Sequence, residues 1–152
     1  MPSIGEVAPD FALTNQDGET VRLSDFRGKK VIMFAYPAAG TSGCTTQACG
    51  FRDQLPKFDA NGVIVIGISP DTPQDQKSWA EKEGLTYNLL SDRDHAVLEQ
   101  WGGWGERTNF GKTTVGVIRS HWVIDENGKI MDEKLGISPK DSVEKAVKSL
   151  GW

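Results

Sequence analysis

Val31-Ile32-Met33-Phe34-Ala35-Tyr36-Pro37-Ala38-Ala39-Gly40-Thr41-Ser42-Gly43-Cys44-Thr45-Thr46-Gln47-Ala48-Cys49 passes from one structural period to another. After Lys30 the run to Tyr36 is continuously apolar, as a strand covered on both faces must be. Pro37 ends it. Thr41 or Ser42 then caps a helix. The apolar stripe of that helix is Cys44, Ala48, Phe51, Leu55 and Phe58, advancing by fours and threes. Pro56 lies inside the stripe and predicts a kink or an end after Leu55. Val63-Ile64-Val65-Ile66-Gly67-Ile68-Ser69 is a second buried strand, so the segment reads as a right-handed βαβ unit.

Upstream, Phe11, Leu13, Val21 and Leu23 alternate with polar residues about Asn15-Gln16-Asp17-Gly18, which predicts a hairpin over residues 9–25. Downstream, Thr72 caps a helix with Pro73 at its first position and Gly84 past its end. Tyr87-Asn88-Leu89-Leu90 reads as a short edge strand and Asp94 to Trp101 as a short helix. Gly102 to Thr114 reads as a loop. Val115 to Ile124 and Lys129 to Lys134 read as a hairpin about Glu126-Asn127-Gly128. Ser138-Pro139 opens the last helix, with Val143, Ala146, Val147 and Leu150 facing the core. A βαβ half followed by a ββα half predicts an α/β, thioredoxin-like fold. It has a mixed central sheet flanked by helices, an N-terminal β-hairpin and an inserted strand–helix segment.

The totals narrow the function classes. A chain of 152 residues is expected to form one domain, residues 1–152. Its 38% hydrophobic and 25% charged residues suit a soluble globular protein. A formal net charge of -4 argues against a nucleic-acid partner. No run approaches the roughly 18 apolar residues of a membrane span. Met1-Pro2-Ser3-Ile4-Gly5-Glu6 has neither a basic nor an apolar signal region, so the cytoplasm is the expected compartment. Two cysteines cannot complete a tetrahedral zinc site alone, and in a cytosolic chain such a pair points to redox chemistry or simple burial.

Cys44 stands beyond the C-terminal end of a parallel strand, where open α/β sheets place their sites. In the first helical turn it meets the positive end of the helix dipole and unpaired backbone N–H groups, which favour thiolate over thiol. Gly40 and Gly43 let the backbone approach a small substrate, and the Thr41 hydroxyl can reach a substrate oxygen or the thiolate. The competing reading of Cys44 is a small buried hydrophobe on the stripe. Cys49 weighs against it, because a five-residue step turns Cys49 about 140° away from the stripe. In a regular helix the two Cα atoms are about 8.6 Å apart, whereas a disulfide needs less than about 7 Å. A bond between them therefore requires the first turns to unwind.

Arg119 lies in the apolar strand Val115-Gly116-Val117-Ile118-Arg119-Ser120-His121-Trp122-Val123, where an unpaired charge is costly. It is a candidate to stabilise a Cys44 thiolate and the oxygens of a small substrate; the alternative is a structural ion pair or a rim position. His95 and His121 lack metal-ligand spacing and read as structural or surface residues. Trp101 and Trp104 with Phe110 read as a satellite core or a loop covering the site, ahead of a cofactor box. Lys77, Glu81, Lys82 and Glu83 read as a solvated helix face.

Three stretches carry a family likeness. They are Gly5-Glu6-Val7-Ala8-Pro9-Asp10-Phe11-Ala12-Leu13, then Tyr36-Pro37 through Cys44 and Cys49 to Phe51-Arg52-Asp53, and last Trp104-Gly105-Glu106 with Phe110-Gly111-Lys112, Gly116-Val117-Ile118-Arg119 and Val123-Ile124-Asp125. With these, nearly the whole chain resembles the peroxiredoxin Q group, also called bacterioferritin-comigratory-protein-type peroxiredoxins. Pro37, Thr41 and Cys44 fill the Pro-x-x-x-Thr/Ser-x-x-Cys motif of peroxiredoxins. The resemblance implies a thioredoxin fold and a thiol-dependent peroxidase acting on hydrogen peroxide and alkyl hydroperoxides. It implies Cys44 as the peroxidatic and Cys49 as the resolving cysteine, joined in an intramolecular disulfide, with Pro37, Thr41 and Arg119 as the supporting site. It further implies thioredoxin or a similar dithiol protein as reductant, a monomer, and no metal, haem or flavin cofactor. Two positions depart from the pattern: Ser42 stands where proline is common, and Gln47 where an acidic residue is common.

The nearest rival is a thiol–disulfide oxidoreductase on the same fold, which would normally show Cys-x-x-Cys; this chain has no such spacing. A redox-sensing or chaperone-like interaction protein is the non-enzymatic rival.

Overall fold

The computed structural model describes residues 2–109 and 111–152. Among the described residues nine strands run in chain order as β1 (Ala12–Thr14), β2 (Thr20–Arg22), β3 (Lys30–Ala35), β4 (Val63–Ser69), β5 (Asn88–Ser91), β6 (Trp104–Asn109), β7 (Lys112–Val117), β8 (Ser120–Ile124) and β9 (Ile130–Leu135). Five α-helices accompany them among these residues: α1 (Ser42–Asp53), α2 (Leu55–Ala60), α3 (Pro73–Glu83), α4 (Ala96–Trp101) and α5 (Pro139–Ser149). Seven strands form one mixed sheet in the order β2-β1-β5-β4-β3-β8-β9. β3, β4 and β5 are parallel; β8 runs antiparallel beside β3, and β9 runs antiparallel beside β8 at the sheet's edge. This is the thioredoxin-like arrangement that the order of elements predicts.

The apolar run of β3 is buried on both faces, and alternate residues enter two separate cores. Ile32, Phe34 and Tyr36 join Cys44, Ala48 and Phe51 of α1, Trp79 of α3 and Ala146 of α5 on one face. Val31, Met33 and Ala35 join Leu98 and Trp101 of α4 and Trp122 of β8 on the other. Phe34 stacks on Phe51 with ring centroids 4.8 Å apart, which seats α1 directly over the strand that precedes it. Along α5 Ala146 and Leu150 are buried, and Val143 and Val147 pack at the core's edge, as the stripe predicts.

Several expectations are corrected. The segment Tyr87–Leu90 is not an edge strand, because the N-terminal hairpin joins the sheet beside β5 through Thr14 and Ser91. Side chains of the hairpin turn cover the rest of that edge: Leu89 N–H donates to Gln16 Oε1 at 2.8 Å, and Gln16 Nε2 donates to the Tyr87 carbonyl at 2.9 Å. The helix breaks at Gln54, one residue earlier than expected, and Pro56 sits in the first turn of α2, where its missing N–H costs nothing.

Residues 102–114 are not a loop, since β6 and β7 pair there as an antiparallel hairpin. Lys112 to Val115 are exposed, so no buried face imposes the alternation by which such a strand is recognised. The expected strand from Val115 to Ile124 is two strands. The chain leaves β6 and joins β3 at Ile118-Arg119, where Ile118 N–H donates to the Gly103 carbonyl and Ile137 N–H to the Arg119 carbonyl. Trp101 is no satellite: it meets Trp122 edge-on at 5.5 Å inside the second core, while Trp104 stacks on His95 at 3.8 Å. Phe110 lies outside the described residues. No helix among the described residues is long and apolar enough to cross a membrane.

Candidate active site

The site forms where β3 and β4 end and α1 begins. Tyr36 N–H still donates to the Ile68 carbonyl, after which Pro37 has no N–H to continue the ladder. The following loop turns through Gly40 at φ 85°, a left-handed conformation that suits glycine. A buried polar chain pins this loop to the neighbouring strand and helix. Tyr36 Oη donates to Gln76 Oε1, Gln76 Nε2 to Ser69 Oγ, and Ser69 Oγ to Asp71 Oδ2, which also accepts from Ala39 N–H at 2.8 Å. Burial pushes the Tyr36 phenol far above its ordinary range, so it acts only as a neutral donor.

Thr41 occupies the N-cap position of α1, but its side chain makes no capping bond. Its hydroxyl donates to the Ala38 carbonyl at 2.8 Å and shapes the turn. Cys44 follows in the first helical turn and is fully buried. Arg119 reaches it from the break between β7 and β8, placing Nη2 3.4 Å from Cys44 Sγ and Nη1 2.7 Å from Gln47 Oε1. Arg119 thus lies outside the strands, and among the described residues it has no carboxylate partner; its guanidinium is directed at the sulfur.

Cys49 lies on the flank of α1, as the helical geometry requires, yet it is half-buried and packs at the edge of the first core. The reason is α3, which covers that flank. Trp79 Nε1 donates to Thr45 Oγ1, and Arg52 Nη1 donates to the Glu83 carbonyl. The Cys49 thiol donates to Glu83 Oε2 at 3.6 Å, so Glu83 is not part of a purely solvated face. Burial pushes the Cys49 thiol upward, reinforced by Glu83 and opposed by Arg52. Both cysteines are free thiols in an unbroken helix.

Of the five residues expected at the site, the fold brings Cys44 and Arg119 into contact and sets Pro37 and Thr41 on the loop before them. Cys49 stays apart, facing α3. Gln47 is the residue that sequence reasoning underrated. At three positions beyond Cys44 it shares the Cys44 face of the helix, and it is fully buried. Of the residues that continue from it, His121 carries only the signal of a titratable side chain inside an apolar strand, and Ser142 of α5 carries none.

This sheet, with a cysteine at the helix start beyond a parallel strand, defines a thiol-based oxidoreductase of thioredoxin-like fold. The chain belongs to the AhpC/TSA family, whose model matches residues 4–133. Peroxiredoxin Bcp of Escherichia coli is 51% identical over 126 residues, covering 83% of this chain and 81% of that protein. Peroxiredoxin Bcp of Bacillus subtilis is 40% identical over 147 residues, covering 97% and 94%. The crystal structure of peroxidoxin BcpB from Mycobacterium tuberculosis superposes with a TM-score of 0.87 at 35% identity, covering 99% of this chain and 97% of that one. Such relatives identify an enzyme of the peroxidase class.

Proposed function

We propose that the enzyme reduces hydrogen peroxide and organic hydroperoxides with Cys44 as its nucleophile. The observation that carries this reading is the Arg119 guanidinium 3.4 Å from the sulfur of a cysteine in a helix's first turn. The Cys44 thiolate attacks one peroxide oxygen and the O–O bond breaks. The other oxygen takes a proton and leaves as water or an alcohol, and the sulfur becomes a sulfenic acid. Arg119 offsets the negative charge that passes from sulfur to the departing oxygen. Pro37 and Thr41 shape the loop over which the peroxide approaches.

Cys49 then displaces the sulfenic hydroxyl as water, forming the Cys44–Cys49 disulfide. The intact α1 forbids this bond on distance alone, so its first turns unwind during the step. A dithiol protein such as thioredoxin restores both thiols by exchange. Likeness to the Bcp/Q-type peroxiredoxins also supports a cytoplasmic monomer. None of these steps needs a bound metal, haem or flavin.

Stopped-flow oxidation of the reduced protein by hydrogen peroxide and by an alkyl hydroperoxide, with mass spectrometry of the products, tests the reading. Cys44→Ser should abolish peroxide consumption. Cys49→Ser should keep the first oxidation and lose turnover with thioredoxin. Full thioredoxin-dependent activity in Cys44→Ser would overturn the assignment.

A further inference from the structure

Behind Arg119 a line of buried polar side chains crosses from α1 through α5 to β8 and β9. Arg119 Nη1 donates to Gln47 Oε1 at 2.7 Å, and Gln47 Nε2 donates to Ser142 Oγ at 3.0 Å. Ser142 Oγ lies 2.9 Å from His121 Nδ1, and His121 Nε2 lies 2.8 Å from Asp132 Oδ2. Gln47, Ser142 and His121 are each 0% exposed, so every polar atom in the line depends on its neighbours.

The donor inventory of these groups sets a direction. A guanidinium only donates, so Gln47 turns its carbonyl to Arg119 and its amide to Ser142. Ser142 Oγ accepts that amide and sends its own proton to Nδ1. A carboxylate only accepts, so the proton of the imidazole sits on Nε2, facing Asp132. Each bond then runs the same way, from Arg119 toward Asp132. Lys134 Nζ, 3.7 Å from Asp132 Oδ1, already balances that carboxylate.

The charged groups around His121 are Asp132 and Lys134 of β9 and Lys145 of α5. Across the ladder β3 presents Phe34, and α1 presents the uncharged Gln47. Burial, with the two lysines, outweighs the pull of Asp132 and holds the imidazole below its ordinary range.

We propose that Gln47, Ser142, His121 and Asp132 form a one-directional hydrogen-bond relay that positions Arg119 against Cys44, with the Gln47 amide setting its polarity. The proposal rests on the reading of Cys44 and Arg119 given above. Ser142, His121 and Asp132 are positioning residues: they act on the sulfur only through Gln47 and Arg119. By occupying Nη1 the relay leaves Nη2 as the group aimed at sulfur. The amide also keeps negative charge away from the guanidinium. A carboxylate at position 47 would accept from both Arg119 and Ser142. Ser142 would then have to accept from Nδ1–H, and with Nε2–H held by Asp132 the imidazole would become a cation.

Long-range proton–nitrogen NMR of the reduced full-length protein at neutral pH reads the direction, with His121→Asn assigning the signal. The expected result is the neutral Nε2–H tautomer, converted to the doubly protonated ring in Gln47→Glu. The Nδ1–H tautomer, or a cationic ring in the native protein, would overturn the relay. Ser142→Ala and Asp132→Asn should slow Cys44 oxidation by hydrogen peroxide, Ser142→Ala by about tenfold. In an Arg119→Met background neither should cause further loss. An unchanged rate in correctly folded Ser142→Ala, or an equal loss with and without Arg119, would refute positioning. Should His121→Asn fail to fold, Ser142→Ala and the Gln47→Glu ring state still decide. Failure of the native enzyme to be oxidised at Cys44 would instead remove the peroxidase reading, and the positioning role with it, while the tautomer still reports the direction of the line.

Discussion

Arg119 reaches the Cys44 side of α1 across the bare face of Gly43: a Cβ at that position would stand 3.1 Å from Arg119 Nη2 and 3.5 Å from Pro139 Cγ. The glycine beside Cys44 therefore makes room for the guanidinium. Gly43→Ala should displace the guanidinium by a few tenths of an ångström. Peroxide oxidation of Cys44 should slow by about tenfold, below the ~100-fold that a 1 Å misplacement can cause. Thermal stability should change little. Stopped-flow rates measured alongside melting curves check this, and an unaltered rate would mean that the contact does not contribute.

The other helical glycine of α1 faces a different neighbour. A Cβ on Gly50 would lie 2.7 Å from Val143 Cγ2, so α1 and α5 touch there without a spacer. Gly50→Ala should overpack this contact and destabilise the fold by about 1–3 kcal/mol. Calorimetry should show a drop of roughly 2–4 °C for each kcal/mol in a chain of this size. Pairing the substitution with Val143→Ala should restore most of the loss, whereas a loss that persists would place its origin outside this contact.

Glu83 gives Cys49 a measurable handle. Burial and the Glu83 carboxylate both push the thiol upward. Replacing Glu83 with Gln removes the negative charge and leaves the burial, so the Cys49 pKa should fall but stay raised. In a Cys44→Ser background, alkylation of the remaining thiol at mildly alkaline pH should become several-fold faster. Equal alkylation rates would show that Glu83 does not govern this thiol.

Acid should weaken the fold through His121. Its folded pKa lies below the unfolded value of about 6.5. The unfolded chain therefore binds the extra proton first, and stability rises with pH across the interval between the two values. The contribution is complete above about pH 6.5 and is lost as pH falls through that interval, by at most about 1.4 kcal/mol per pH unit. Asp92 and Glu133, both raised by burial, act in the opposite sense. Denaturant unfolding of the native protein and His121→Gln at several pH values isolates the histidine. The native protein should lose more stability between pH 7 and pH 5 than the variant; identical slopes would contradict the assignment.

Much of this protein is determined by local pattern. The alternation and apolar runs of β1 to β4, the caps at Thr72 and Ser138, and the left-handed stop at Gly84 follow from short-range sterics and hydrogen bonding. Cys44 is placed by the same logic, because a strand, a turn and a helix start need few residues to specify. The 3.6-residue period alone separates Cys49 from Cys44 and demands a second shape of α1 for the proposed disulfide.

Tertiary structure decided the rest, wherever a residue's environment came from chain distant in sequence. Lys112 to Val115 of the β6–β7 hairpin are exposed, so no buried face writes a pattern into them. β5 became an interior strand because a hairpin from the N-terminus joined its side. Arg119 looked like a charge within a strand until the change of partner from β6 to β3 freed it to face Cys44. Gln47, Ser142 and His121 are ordinary polar letters in the sequence. Only when α1, α5 and β8 close over them does the loss of water force them to satisfy one another, because a buried donor or acceptor left unpaired is expensive.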